Sequence, residues 1–171
     1  MFDYRGYGDS GDGSLSESAL NADGDAAYEY VLSEKNVSPG RIVLFGQSLG
    51  TTVVADVASR KECGALIMES GLSSASSVAK TALPWLPSFL HVLGRNRFES
   101  AQKLSKVHVP VLVAHGEPDP VIPTEEGRAL FASANEPKKL LIIPGVGHNV
   151  FGSKGNDYLD QVESFVRDAL Q

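Results

Sequence analysis

Along the chain, short runs of Val, Ile and Leu alternate with stretches in which apolar residues return every three or four positions. Four runs lack polar alternation: "RIVLF" (41–45), "GALIME" (64–69), "VPVLVAHG" (109–116) and "KLLIIP" (139–144). Continuous apolar runs of this length predict strands buried on both faces, as in a parallel sheet covered by helices. The alternation of such strands with helical patterns predicts an α/β fold in which a mostly parallel sheet is flanked by helices.

The helical stretches carry their own start and stop signals. Ser14 and Glu17 have the spacing of a capping box, after which Leu15, Ala19, Ala22, Ala26 and Tyr30 recur at helical spacing until "NVSPG" ends the run. A second helix runs from Leu49 to Ala58. Thr124, followed by Glu125 and Glu126, is placed to cap a helix ending near Ala134, and Tyr158, Val162, Phe165 and Ala169 form the stripe of a closing helix.

One segment breaks the alternation. Residues 71–99 lie between two strands but are too long for a plain crossover, and they hold the single Trp among Leu, Phe and Pro. This predicts a small cap inserted into one domain spanning 1–171. The length of 171 residues suffices for a core without disulfides or metal. A net charge of −6 argues against nucleic acid as a partner. The most apolar stretch, Ala82 to Leu93, is interrupted by Pro84 and Pro87 and is too short to cross a bilayer. Cys63 is the only cysteine, which excludes an internal disulfide and suits a reducing compartment, so the expected address is the cytoplasm. No motif implies a metal, nucleotide or flavin cofactor.

Candidate chemistry concentrates at the strand ends. "GQSLG" (46–50) spells G-x-S-x-G directly after an apolar strand and directly before a helix. The letters alone fit a plain tight turn; that context points instead to a strained elbow that lifts the Ser48 hydroxyl above the sheet. A Ser hydroxyl is a weak nucleophile at neutral pH and needs a His as base and a carboxylate to orient it. Of the four histidines, His148 in "PGVGHNV" lies just past the last strand. His91 in the cap, His108 before a strand and His115 at a strand end read as structural. "HGEPDPVIP" offers Glu117 and Asp119, of which Asp119, between two prolines, is the better held. The backbone N–H of Leu49 is the expected oxyanion donor. Leu83, Trp85, Leu86, Phe89 and Leu90 are candidates to line an acyl pocket, or to pack the cap on the sheet.

"DYRGYGDSGDG", "GQSLGTT", the "ES" of Glu69 and Ser70, "RFES" (97–100), "VPVLVAHGEPDPVIP" and "GVGH" together resemble the successive motifs of the α/β-hydrolase superfamily. They are most similar to its small-capped serine hydrolases, which include lysophospholipase-like, acyl-protein thioesterase-like and serine-aminopeptidase-like members. The resemblance implies a three-layer sandwich and a Ser48–Asp119–His148 triad in the family's chain order. It also implies that the first three strands are missing, that Phe2 to Tyr4 are the remnant of a fourth, and that the second oxyanion donor is lost with them. Loss of one such donor costs roughly a hundred- to a thousand-fold in turnover.

Three functions fit these residues: hydrolysis of a small ester or thioester substrate with an apolar acyl part, hydrolysis of an amide or peptide by the same triad, and a catalytically impaired fragment with a binding role. The missing third strand would leave 41–45 with an open edge, an expected site of self-association. A missing N-terminus could also carry a membrane anchor.

Overall fold

The computed structural model describes residues 1–81, 96–152 and 156–171. Strands β1 (Val43–Gln47), β2 (Ala65–Glu69), β3 (Val111–Glu117) and β4 (Lys138–Pro144) form a sheet in chain order, with each neighbouring pair parallel. Helix α1 (Glu17–Ser33) and a 3₁₀ turn (Pro39–Arg41) precede β1. Helix α2 (Gly50–Ala58) follows β1, α3 (Ala75–Thr81) and α4 (Ser100–Leu104) lie between β2 and β3, and α5 (Thr124–Ser133) joins β3 to β4. Helix α6 (Asn156–Ala169) closes the chain.

The sheet's side chains alternate between two helical layers. Leu66, Met68, Val111 and Val113 pack on one face against Ala55 and Ala58 of α2, Leu104 of α4 and Leu130 of α5. On the other face Ala114 meets Val150 and, from α6, Tyr158 and Val162. The architecture is therefore the expected three-layer α/β sandwich. Among the described residues, no helix is long and apolar enough to cross a membrane.

The expectation that all four strands are buried on both faces holds only for the middle pair. β2 is buried at every position and β3 at all but its last, whereas β1 and β4 are largely half-exposed. The reason is position: among the described residues each outer strand is hydrogen-bonded to a neighbouring strand on one side only, and Phe45 of β1 is 42% exposed. The first strand also starts later than the apolar run does, because Arg41 belongs to the 3₁₀ turn.

Two helix starts differ from expectation. Ser16, not Ser14, caps α1, its Oγ accepting the Ala19 N–H at 3.1 Å. Glu17 does not close a capping box; its carboxylate accepts the N–H groups of Arg97 and Phe98 and the Lys103 ammonium. Thr124 opens α5 but does not cap it, since its hydroxyl donates to the Gly116 carbonyl at 2.9 Å. Phe2 to Tyr4 form no strand. Tyr4 packs against the cluster of Leu20, Val53, Leu72 and Phe98, and Arg5 pairs with Asp23 at 2.6 Å, which ties the opening loop to α1.

Candidate active site

In a parallel sheet all strands end on the same edge, so residues following β1, β3 and β4 are gathered there whatever their separation in sequence. Ser48 occupies the turn from β1 into α2 with φ at +51°, in the left-handed region that costs a non-glycine residue about 1–3 kcal/mol. The turn is held by the Ser48 N–H donating to the Glu69 carbonyl at 2.8 Å, and by the Thr51 N–H and hydroxyl donating back to the Ser48 carbonyl. Gly46 is required at the strand's end: a Cβ there would lie 2.5 Å from the Gly50 carbonyl oxygen and 2.6 Å from Val54 Cγ2. The second motif glycine is under no such constraint, because a Cβ on Gly50 would approach nothing closer than the Tyr4 hydroxyl at 3.6 Å.

His148 follows β4, on the far side of the sheet from β1, so its loop must travel back across the strand ends. Gly116 makes the crossing feasible: a Cβ there would run into the carbonyls of Val146 and Gly147, which pass directly over it. Beyond the crossing, the Phe151 N–H donates to Glu69 Oε1 at 3.0 Å, and the Phe151 ring meets the Phe45 ring of β1 edge-on at 6.0 Å.

The three side chains meet in a single line. His148 Nε2 lies 2.9 Å from Ser48 Oγ, and His148 Nδ1 lies 2.8 Å from Asp119 Oδ2. Because a carboxylate only accepts, the ring proton belongs on Nδ1, which leaves Nε2 free to accept from the Ser48 hydroxyl. The Asp119 side chain is fully buried and that of His148 is 17% exposed, so the carboxylate is shielded from water while the imidazole is in part accessible.

Asp119 is saturated with donors. Its Oδ1 accepts the N–H groups of Val121 (2.8 Å) and Ile122 (3.0 Å), and Oδ2 is shared by His148 and by His115 Nε2 at 3.2 Å. Burial alone would raise its pKa, but the hydrogen bonds from His115, His148, Ile122 and Val121 outweigh it and hold the carboxyl well below the usual carboxylate range.

Of the other residues weighed, Glu117 is exposed and lies 3.5 Å from Arg128 Nη2, and His108 is exposed on the surface. Cys63 is buried, and burial followed by the Glu62 charge pushes its thiol up to about 11, so it stays protonated and unreactive at neutral pH. His91, Leu83, Trp85, Leu86, Phe89 and Leu90, with residues 82–95 of the expected cap at 71–99, lie outside the described residues.

His115, expected to be structural, adds a link to this site. It is fully buried, and Nε2 faces both the Ile122 carbonyl at 2.9 Å and Asp119 Oδ2. Both are acceptors, which fixes the proton on Nε2. The signal was its place four residues before Asp119 at the end of a buried strand. The side chain of Glu69 also reaches this edge; its marks in the sequence were a charge closing the otherwise apolar run "GALIME" and its place in the "ES" motif.

Comparison with known proteins agrees with this architecture. The prolyl oligopeptidase family matches residues 18–171. An uncharacterized protein of Mycobacterium tuberculosis is 40% identical over 149 residues, 87% of this chain and 52% of that protein. The alpha/beta hydrolase domain-containing protein 17C of Mus musculus is 38% identical over 169 residues, 99% of this chain and 50% of its own length. The chain thus spans about half the length of these relatives. Among solved structures, the acetyl xylan esterase from Paenibacillus sp. R4 superposes with a TM-score of 0.77 at 14% identity, covering 97% of this chain and 64% of that one. The esterase domain of a Rhodothermus marinus protein does so with a TM-score of 0.68 at 20% identity, covering 94% of this chain and 72% of the other.

Proposed function

This chain belongs to the prolyl oligopeptidase family, with an α/β-hydrolase fold, and we propose that it is a serine hydrolase that cleaves carboxylic esters or thioesters through a Ser48–His148–Asp119 triad. The observation that carries this reading is the unbroken line from Ser48 Oγ through both ring nitrogens of His148 to the buried Asp119 carboxylate.

In the proposed reaction Ser48 Oγ attacks the carbonyl carbon as its proton passes to His148 Nε2. The imidazolium so formed keeps its Nδ1–H on Asp119, whose depressed pKa keeps the carboxylate ionised to receive that charge. The oxyanion is met by the Leu49 N–H at the positive end of α2. Collapse of the tetrahedral species breaks the bond to the leaving alkoxide or thiolate, which takes its proton from His148 Nε2–H. Water then repeats the sequence on the acyl-enzyme, returning the proton to Ser48 and releasing the acid.

The names of structural neighbours, among them an acetyl xylan esterase and a monoacylglycerol lipase, favour ester bonds, whereas the family name favours amides as the second reading. The test is labelling of the purified chain by a fluorophosphonate, expected in the wild type and absent in Ser48→Ala. Turnover of p-nitrophenyl esters exceeding that of amino-acid p-nitroanilides separates the two bond types. A folded protein that takes up no label overturns the hydrolase reading and favours a binding role.

A further inference from the structure

Glu69 is a carboxylate in an unusual place. It ends the central strand β2, it is fully buried, and its three side-chain donors among the described residues are all neutral groups. Oε1 accepts from Gln47 Nε2 at 2.7 Å and from the Phe151 N–H at 3.0 Å, while Oε2 accepts from the Tyr158 hydroxyl at 2.8 Å. Burying a charge without a cationic partner is costly, and an apolar side chain of similar volume would fill the same space. Packing therefore does not account for a carboxylate at this position.

What the three donors have in common is their attachment. Gln47 is the residue immediately before Ser48 in the elbow. Phe151 lies three residues after His148, on the loop that crosses back from β4. Tyr158 belongs to α6, a rigid element on the outer layer, and burial followed by the Glu69 charge pushes its hydroxyl pKa upward, so that it remains a donor. The Glu69 main chain adds a fourth link, its carbonyl accepting the Ser48 N–H itself.

The geometry points to Glu69 as a positioning residue that fixes the distance between the nucleophile turn and the base loop, using α6 as its anchor. Ser48 and His148 are 100 residues apart in sequence and leave opposite edges of the sheet, yet their reacting atoms must stay within hydrogen-bond reach. A single oxygen, Oε1, that binds one group from each loop sets both against the same point. Carboxylate hydrogen bonds are shorter and stronger than neutral ones, which suits a spacer that must not yield. The side chain touches no reacting atom, and its effect is on turnover through alignment, where a misplacement of about 1 Å costs on the order of a hundred-fold.

This inference rests on the hydrolase reading, and its test compares Glu69→Leu with Glu69→Gln in the full chain. Glutamine is nearly isosteric and can keep an oxygen on Phe151 and Gln47 while its amide donates to the Tyr158 oxygen; leucine leaves all three donors unpaired. With p-nitrophenyl acetate, kcat is expected to fall about a hundred-fold in Glu69→Leu with KM within about threefold, and to recover to within about tenfold of wild type in Glu69→Gln. Tyr28→Phe serves as the stability control: it removes a remote hydrogen bond to the Glu62 carbonyl and should lower the melting temperature at constant kcat. Should Glu69→Leu not fold, Gln47→Leu removes the elbow arm alone and should lower kcat about tenfold at constant KM.

Crystal structures of the same variants give a reading independent of turnover. The Ser48 Oγ to His148 Nε2 hydrogen bond is expected to persist in Glu69→Gln and to be lost in Glu69→Leu, or in Gln47→Leu if that variant takes its place. If the wild type shows no Ser48-dependent ester hydrolysis, the hydrolase reading fails and the crystal structures still decide the role of Glu69. An intact Ser48–His148 bond in the leucine variant, or a glutamine variant as impaired as the leucine one, overturns the positioning role.

Discussion

His115 Nε2 lies 3.2 Å from Asp119 Oδ2, the same oxygen that His148 Nδ1 approaches to 2.8 Å. The buried carboxylate is thus held by two imidazoles, one toward Ser48 and one within the core. His115→Leu keeps roughly the volume but removes the inner donor, leaving Asp119 freer to rotate and the Ile122 carbonyl without its side-chain partner. The expected outcome is a kcat lowered about ten- to a hundred-fold with KM unchanged, and a stability loss of about 1–3 kcal/mol for the unpaired buried group. Steady-state kinetics and urea denaturation of the variant check the two halves separately.

Asp119 also sets an acid dependence. A carboxyl whose pKa is depressed on folding binds fewer protons in the native than in the unfolded chain. Its contribution to stability is complete above the unfolded value of about 4 and is lost as pH falls through that value toward the native one. Melting temperatures should therefore drop below about pH 4 in the wild type and drop less steeply in Asp119→Asn. The residual slope would come from Asp23, Asp56 and Glu17, whose carboxyls are also held low. The same variant should retain the fold at pH 7 while losing on the order of 10⁴ in kcat, since an amide no longer enforces the His148 tautomer.

How much of this was legible in the sequence follows from how far each determinant reaches. Ser48, Asp119 and His148 stand immediately after apolar strands, and a parallel sheet brings such positions together by its topology, so the arrangement could be anticipated from local pattern. Glu69 could not be read this way: its donors Phe151 and Tyr158 lie 82 and 89 residues further on. The capping box failed for a similar reason, because the Glu17 carboxylate is taken by the amides of Arg97 and Phe98, 80 and 81 residues away, leaving Ser16 to cap α1 alone. The outer strands carry the same Val, Ile and Leu as the inner ones, and composition does not distinguish an edge from a centre.

The strained backbone at Ser48 separates stability from activity. With φ at +51°, alanine at this position keeps the strain and removes the hydroxyl, whereas glycine accepts the conformation without penalty. Ser48→Gly should be about 1 kcal/mol more stable than Ser48→Ala in urea titrations, although both are inert toward a fluorophosphonate. Equal stabilities would mean that the elbow relaxes once the hydroxyl is gone.

Gly116 tests the path of the base loop. A methyl group there would overlap the carbonyls of Val146 and Gly147, and the strand beneath is buried and cannot retreat, so the loop must lift. Lifting by even about 1 Å withdraws His148 from Ser48, and Gly116→Ala should lose on the order of a hundred-fold in kcat. Gly152→Ala is the control on the same loop: its Cβ would meet nothing closer than Asn149 Cβ at 3.9 Å, and it should leave kcat unchanged. Parallel losses in the two variants would show that the loop responds to any added side chain. A loss confined to Gly116→Ala identifies the crossing over β3 as a contact that, beside the Glu69 link to Phe151, sets the position of His148.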